Sequence, residues 1–409
     1  MDKINLVPKR RFREFQDMDD WEYCKLEEKF EFFSGLTYSP KDIRRSGSFV
    51  IRSLNVKNGE IVDADNVFVE KKVAKSKNVE VGDIIVVVRN GSRSLIGKHA
   101  QIKTEMLDTV IGAFMTGISY KVPRFGNALL GTQNFDKEIA KNLGATINQI
   151  TTGMFKQMGF HFPKKESEQI RIGEFFDNLD NIIFKHQRQL EKLKSLKTAY
   201  LSEMFPAEGE KQPNRRFKGF TDDWELRKLG ELADIVGGGT PSTAISDYWN
   251  GNIDWYSPAE IGEQIYVFGS QKKITQLGLE KSSAKIHPIG TILFTSRAGI
   301  GNTAILAKEG ATNQGFQSIL SKKDVLDSYF IFSRTNELKR YGEQTGAGST
   351  FVEVSGKQMA QMPIYVPKIE EQQKIGAFFK QLDDTIALHQ HKLEKLQNLK
   401  KAYLNEMFV

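Results

Sequence analysis

The stretch Glu168–Phe205, EQIRIGEFFDNLDNIIFKHQRQLEKLKSLKTAYLSEMF, recurs at Glu371–Phe408 as EQQKIGAFFKQLDDTIALHQHKLEKLQNLKKAYLNEMF. At a constant offset about 23 of 38 positions are identical, which marks an internal repeat. Leu179, Ile183, His186, Leu190, Leu193, Tyr200 and Met204 step by fours and threes in the first copy. Leu382, Ile386, His389, Leu393, Leu396, Tyr403 and Met407 do so in the second. That is an a/d seam suited to shallow-angle helix packing. After the opening Ile-Gly neither copy contains Gly or Pro, so each reads as one unbroken helix. At 1.5 Å per residue such a helix is about 50 Å long. A single copy would leave its seam wet. The expectation is that the two copies bury their seams on each other within one chain, with a homodimeric coiled coil or helix swapping between chains as the alternative. His186 and His389 read as polar residues that set the register of this seam.

A second repeat precedes each helix. Pro8–Leu26, PKRRFREFQDMDDWEYCKL, returns as PNRRFKGFTDDWELRKL at Pro213–Leu229, with Asp17–Met18 as a two-residue insertion in the first copy. The chain is therefore a tandem duplication. Each unit has a basic-aromatic opening motif, a globular body and a long helix. Phe205 meets the segment FPAEGEKQPN, a short exposed linker by composition, and Phe408 is its counterpart. This predicts a circular arrangement in which the N-terminal opening motif packs near the end of the C-terminal helix.

The bodies mix short strands and helices without regular alternation, so each is expected to be a compact α+β domain. Strands are predicted at Ser48–Leu54, Val67–Val69, Ile84–Val88 and Gly159–Phe162 in the first body, with a helix near Lys137–Leu143. In the second, strands are predicted at Ile253–Tyr256, Thr291–Thr295, Thr303–Leu306 and Pro363–Val366, with one helix over Leu326–Tyr341.

The 409 residues carry a formal net charge of +7, with a pI of about 9.1, and favour an anionic partner such as nucleic acid. Cys24 is the single cysteine, which excludes an internal disulfide and a cysteine-based zinc site. No apolar run has bilayer length and no signal-like start is present, so a cytoplasmic protein is expected. Gly237–Gly239 and Gly299–Gly301 match neither a dinucleotide fingerprint nor a P-loop, and there is no His-Glu-x-x-His or Asn/Asp-Pro-Pro-aromatic motif. Asp63, Asp65 and Glu70 give only a faint carboxylate set of the kind that holds magnesium in nucleases. A non-catalytic chain is expected.

Residues suited to DNA gather in or beside turns. In the first body they are Arg44, Arg45, Lys71, Lys72, Arg89, Asn90, Arg93 and Lys98. In the second they are Thr240, Ser242, Thr243, Arg297, Asn302, Asn313, Gln314, Lys339, Arg340, Ser349 and Thr350. Arg, Asn and Gln read base edges through paired hydrogen bonds, while Lys, Ser and Thr hold phosphates.

The opening motif RRFKGFTDDWELRKLGELADIVGGGTPS (Arg215–Ser242), the segment IGTILFTSRAGIGNTAIL (Ile289–Leu306) and the closing motif PIYVPKIEEQQKIGAFFKQLDDTI (Pro363–Ile386) carry a family likeness. With the duplication, the chain resembles the specificity subunit of Type I restriction-modification systems along essentially its whole length. The resemblance implies two α/β target-recognition domains (residues 1–167 and 215–370). It also implies two antiparallel spacer helices (168–205 and 371–409), with a linker at 206–214 between the first helix and the second domain, and a pseudo-two-fold relating the domains. Each domain would read half of a bipartite, gapped double-stranded DNA target. Two methyltransferase subunits and the restriction subunits would dock on this chain, bringing S-adenosylmethionine, ATP and Mg, none of which this chain would bind itself. The first body departs from the pattern, with Gly35–Ser39 standing where the second has Gly238–Ser242. A self-contained DNA-modifying enzyme and a coiled-coil adaptor for other proteins are the alternatives.

Overall fold

The computed structural model describes residues 7–144, 148–297, 299–346 and 353–409. Contacts divide the chain into two compact units: Met1–Arg188 with His391–Val409, and Gln189–Gln390. The long helices span Glu166–Glu203 and Ile369–Met407, each about two residues earlier than the repeat alone suggests. Each helix starts in one unit and ends in the other.

Within each unit the start of one helix runs antiparallel to the end of the other. In the first unit Phe175 meets Tyr403 edge-on at 5.1 Å and Lys400 pairs with Asp180 at 2.5 Å. In the second Tyr200 meets Phe378 at 5.1 Å and Lys197 pairs with Asp383 at 2.6 Å. The seam register is as the sequence predicts. Leu179, Ile183, Leu190, Met204, Leu382 and Met407 are buried, and His186, Leu193, Tyr200, Ile386, His389, Leu393, Leu396 and Tyr403 are half-buried. Leu196 and Leu399, one step off the seam, are exposed. Lys197 and Lys400 occupy the seam's own spacing, and their inter-helix carboxylate partners explain why a cation is tolerated there.

The two opening motifs make the same clasp. Arg11 grips Glu168 with two parallel bonds, 2.6 and 2.7 Å long, between side chains only 5% and 1% exposed. Arg216 grips Glu371 likewise at 2.7 and 2.8 Å. The preceding arginine turns to the end of the other helix. The Arg10 amide donates to the Glu406 carbonyl at 2.8 Å, as the Arg215 amide does to that of Glu203. Trp21 then lies edge-on to Phe408 and Trp224 to Phe205. The expected packing of the N-terminal motif on the end of the C-terminal helix is therefore present, and it reproduces without a covalent link what the linker does at Glu203.

Each motif continues into an antiparallel strand pair, Glu22–Lys25 with Gly159–Phe162 and Glu225–Lys228 with Pro363–Val366. The strand before each long helix thus pairs with the strand at the end of each opening motif. Gly173 lies where a Cβ would come within 2.6 Å of the Phe125 nitrogen, and a Cβ on Gly376 would meet Asp327. The Ile-Gly step lets each body close directly on its helix.

The bodies share the core of one sheet plan and differ in their edge strands. In the first, a sheet of order Glu31–Ser34, Met115–Ser119, Ile84–Val87, His99–Gln101 accompanies a second of order Thr109–Ile111, Ser48–Ile51, Val67–Val69, Ile43–Arg44. In the second, the orders are Ala233–Gly237, Gln317–Ser321, Ile292–Phe294, Thr303–Leu306, Tyr266–Val267 and Lys272–Ile274, Trp249–Tyr256, Ala311–Thr312. Both second sheets contain a parallel pair. The interior strand is apolar on both faces because it feeds two cores. Ile84 and Val86 join the core around Trp21, while Ile85 and Val87 join another with Ile51 and Ile111. Ile292 and Phe294 divide from Leu293 in the same way.

The helix expected over Leu326–Tyr341 is two helices, Ser328–Phe332 and Thr335–Gly346. Arg334, buried at the break, bonds the Tyr365 carbonyl and Glu337, and turns the chain between them. The predicted strand at Ser48–Leu54 ends at Ile51, where Ser53–Asn55 forms a 3-10 turn.

Removing one partner of a buried bidentate pair leaves a desolvated charge, at a cost of roughly 3–5 kcal/mol. Glu168→Ala and Glu371→Ala are each expected to lower stability by that order in chemical denaturation. Arg10→Ala, at a half-exposed position, is expected to change it far less.

Candidate nucleic-acid interface

In the first body the structure gathers five of the seven sequence-predicted cations into two clefts. Arg44, Arg45, Lys71 and Lys72 line one of about 740 Å³. Three of them are ion-paired there: Arg44 and Lys72 share Glu70 at 2.9 and 2.6 Å, and Lys71 holds Asp108. The Lys72 bond, then Arg44, keeps the Glu70 carboxylate below its usual range. The carboxylates that faintly suggested a magnesium site are taken up separately: Glu70 as described, Asp65 by Arg52, and Asp63 by the Asn66 amide. No metal-holding cluster of His, Cys, Asp or Glu exists among the described residues.

Arg89 and Asn90 line the second cleft, of about 1100 Å³, with Tyr38, Arg52, Phe114 and Asn148 among its other walls. Arg89 lies over the Phe114 ring, 4.9 Å from its centroid. The Asn90 side chain is fixed at both ends, donating to Ser53 Oγ at 2.9 Å and accepting from the Ser92 amide at 2.9 Å. Arg93 and Lys98 line neither cleft. Arg93 donates to the Gly144 carbonyl, and Lys98 is exposed just before the strand His99–Gln101.

In the second body the predicted residues sit on loops that touch one another. Thr240 donates to Gln314. Ser242 receives the Trp249 indole at 3.1 Å through its carbonyl. Asn313 caps its own turn by accepting from the Gly315 amide at 2.8 Å, and a Cβ on Gly315 would fall 2.7 Å from Pro258. Asn302 donates to the Ile261 carbonyl of the same Pro258–Gln264 region at 3.3 Å. Arg297 pairs with Glu353 at 2.8 Å. Lys339 packs its stem on Gly301 and reaches Glu343, while Arg340 is exposed beside it. Ser349 and Thr350 lie outside the described residues.

Sequence reading missed Tyr38, Arg52, Phe114 and Asn148. Only Phe114, a large aromatic in the turn between Gly112 and Met115, left a signal. It also missed the buried Asp254. Burial would raise its pKa, but the Ser270 amide, Lys273 and Lys308 hold it below the usual range.

His287 is buried behind the Asn313 turn, next to the Thr312 hydroxyl. Burial, reinforced by Lys285, pushes its pKa down to about 4. The unfolded chain takes up this proton near pH 6.5, whereas the fold resists it. Stability of the second unit is therefore expected to fall as pH drops from 6.5 to 4, by up to roughly 3 kcal/mol from this group. A pH series of thermal melts checks this, and His287→Gln should flatten the fall.

The sequence profile of the family described as Type I restriction modification DNA specificity domain matches residues 18–195 and again 221–398. The MjaIX specificity subunit of Methanocaldococcus jannaschii is 35% identical over 190 residues, 46% of this chain and 44% of that protein. The EcoKI specificity subunit of Escherichia coli K12 is 22% identical over 394 residues, 88% of this chain and 81% of that one. Among solved structures, the S subunit from M. genitalium superposes with a TM-score of 0.67 at 14% identity over 98% of this chain and 99% of that one, a likeness of fold. The match to the first of these relatives spans less than half of its length. No helix among the described residues is long and apolar enough to cross a membrane. With both repeats matched by one profile and both built on the same clasp and sheet core, the chain belongs to the Type I restriction-modification DNA specificity family.

Proposed function

We propose that this chain is the non-catalytic address of a Type I restriction-modification complex. Each unit reads one short half of a gapped double-stranded target, and the bases between the halves are unspecified. The observation that carries this reading is the duplication itself. Two bodies with a common sheet core, the first presenting turns with Arg, Lys and Asn and the second turns with Arg, Asn, Gln and Thr, are each built on the start of one long helix and the end of the other. Two equivalent readers in one chain suit a target of two halves at a set interval.

Two methyltransferase subunits and the restriction subunits dock on this chain in the same proposal. They bring S-adenosylmethionine, ATP and Mg, which are not assigned to residues of this chain. A cytoplasmic address goes with that role.

A one-turn insertion of about four residues near Leu190, matched near Leu393, lengthens both helices by about 6 Å, close to two base pairs of B-DNA. Target selection from randomised duplexes is expected to return the same half-sites with a longer interval, or no binding. An unchanged interval contradicts the reading. Affinity is also expected to fall steeply with salt, as phosphate-neutralising binding requires, whereas a salt-independent affinity would favour a protein adaptor.

A further inference from the structure

Backbone pairing fixes which residues of the two bodies correspond. In the first, the interior strand Ile84–Val87 runs on to Arg89, which bridges antiparallel to Gln149. Val87 pairs with Met115, and the Phe114 carbonyl accepts from the amides of Val88 and Arg89. In the second, Ile292–Phe294 runs on to Arg297, which bridges antiparallel to Glu353. Thr295 pairs with Phe316, and the Gly315 carbonyl accepts from the Ser296 amide. The neighbouring loop agrees: the Leu36 amide donates to Ile111 as the Gly239 amide does to Thr312. Arg89 and Arg297 therefore hold one position, and Gln149 and Glu353 hold the position opposite.

The two arginines are presented differently. Arg297 has a carboxylate across the bridge and is held by it at 2.8 Å. Arg89 has an amide across the bridge and no carboxylate partner among the described residues. It rests instead on the half-exposed ring of Phe114. A guanidinium stacked on a ring keeps its N–H edge free and already ordered, so little freedom is lost when that edge is used. The edge borders a cleft with Tyr38 and Leu54 in its walls. Apolar walls suit a base better than a phosphate. A fork of donors without acceptors matches the O6 and N7 of guanine in the major groove.

We propose that Arg89, steadied by Phe114, reads a guanine in the half-site of the first body, and that Glu353 withholds the equivalent Arg297 from the same contact in the second. This rests on the DNA-recognition reading above. One glutamine-to-glutamate difference at a shared position would then give two related bodies different base preferences.

Selection of randomised duplexes by the full-length chain tests this with Arg89→Ala, Gln149→Glu and Glu353→Gln beside the wild type. Arg89→Ala is expected to lose one guanine from one half-site and to weaken the preferred duplex about ten- to a hundredfold, with the other half-site intact. Gln149→Glu should weaken the same guanine by pairing Arg89, and Glu353→Gln should add a guanine preference in the other half-site. Should Arg89→Ala fail to fold, the other two substitutions decide. A motif unchanged in all folded variants overturns the proposal, as does an Arg89→Ala loss uniform across sequences, the mark of a phosphate contact. A wild type that enriches no motif overturns the DNA-recognition reading, and this inference with it.

Discussion

The buried pairing of Arg11 with Glu168, repeated as Arg216 with Glu371, is the constraint on which each unit depends. It ties the opening motif to the first turn of a long helix, while Arg10 and Arg215 tie the same motif to the last turn of the other. A buried ion pair offers little net stability over a well-packed apolar substitute, because both charges lose their water. What it supplies is position. A bidentate guanidinium–carboxylate pair tolerates one geometry, so the antiparallel helix ends cannot slide past each other without leaving a charge bare. The lysines at seam spacing, Lys197 and Lys400, fix the same register from the other side through Asp383 and Asp180.

Around this repeated frame the two copies have diverged where the frame does not care. The strand pair beside the clasp, the tryptophan under the helix-end phenylalanine and the helix glycine against the body are the same in both. The loops at the far end of the interior strands are not. The first body offers Arg89 on an aromatic ring beside Asn90; the second offers the Arg297–Glu353 pair with Thr240 and Gln314. One repeated frame with two different loop faces is the arrangement that the proposed two-part address requires.

The frame was legible because its signals are local and repeated. A 3.5-residue seam running from Leu179 to Met204, and a motif returning residue for residue, survive without knowledge of tertiary contacts. Strands that stand between turn residues, such as Gly159–Phe162, Thr303–Leu306 and Pro363–Val366, were legible for the same reason. The break at Arg334 was not, because its stabilising partner Tyr365 lies far along the chain and the apolar spacing continues through it. The candidate DNA-contacting faces were legible only as an inventory. Sequence shows how many cations there are, but Glu70, Asp108 and Glu353 decide that Arg44, Lys71 and Arg297 are already paired, and those three meetings are long-range. Ring support from Phe114 is invisible for the same reason.

The most direct measurement of the central claim is a map of methylated adenines in cells carrying the complete system, repeated after the second body alone is exchanged for that of another family member. Two independent readers on one frame predict that one half of the methylated motif changes while the other half and the interval stay fixed. A motif that changes in both halves, or in neither, contradicts the account.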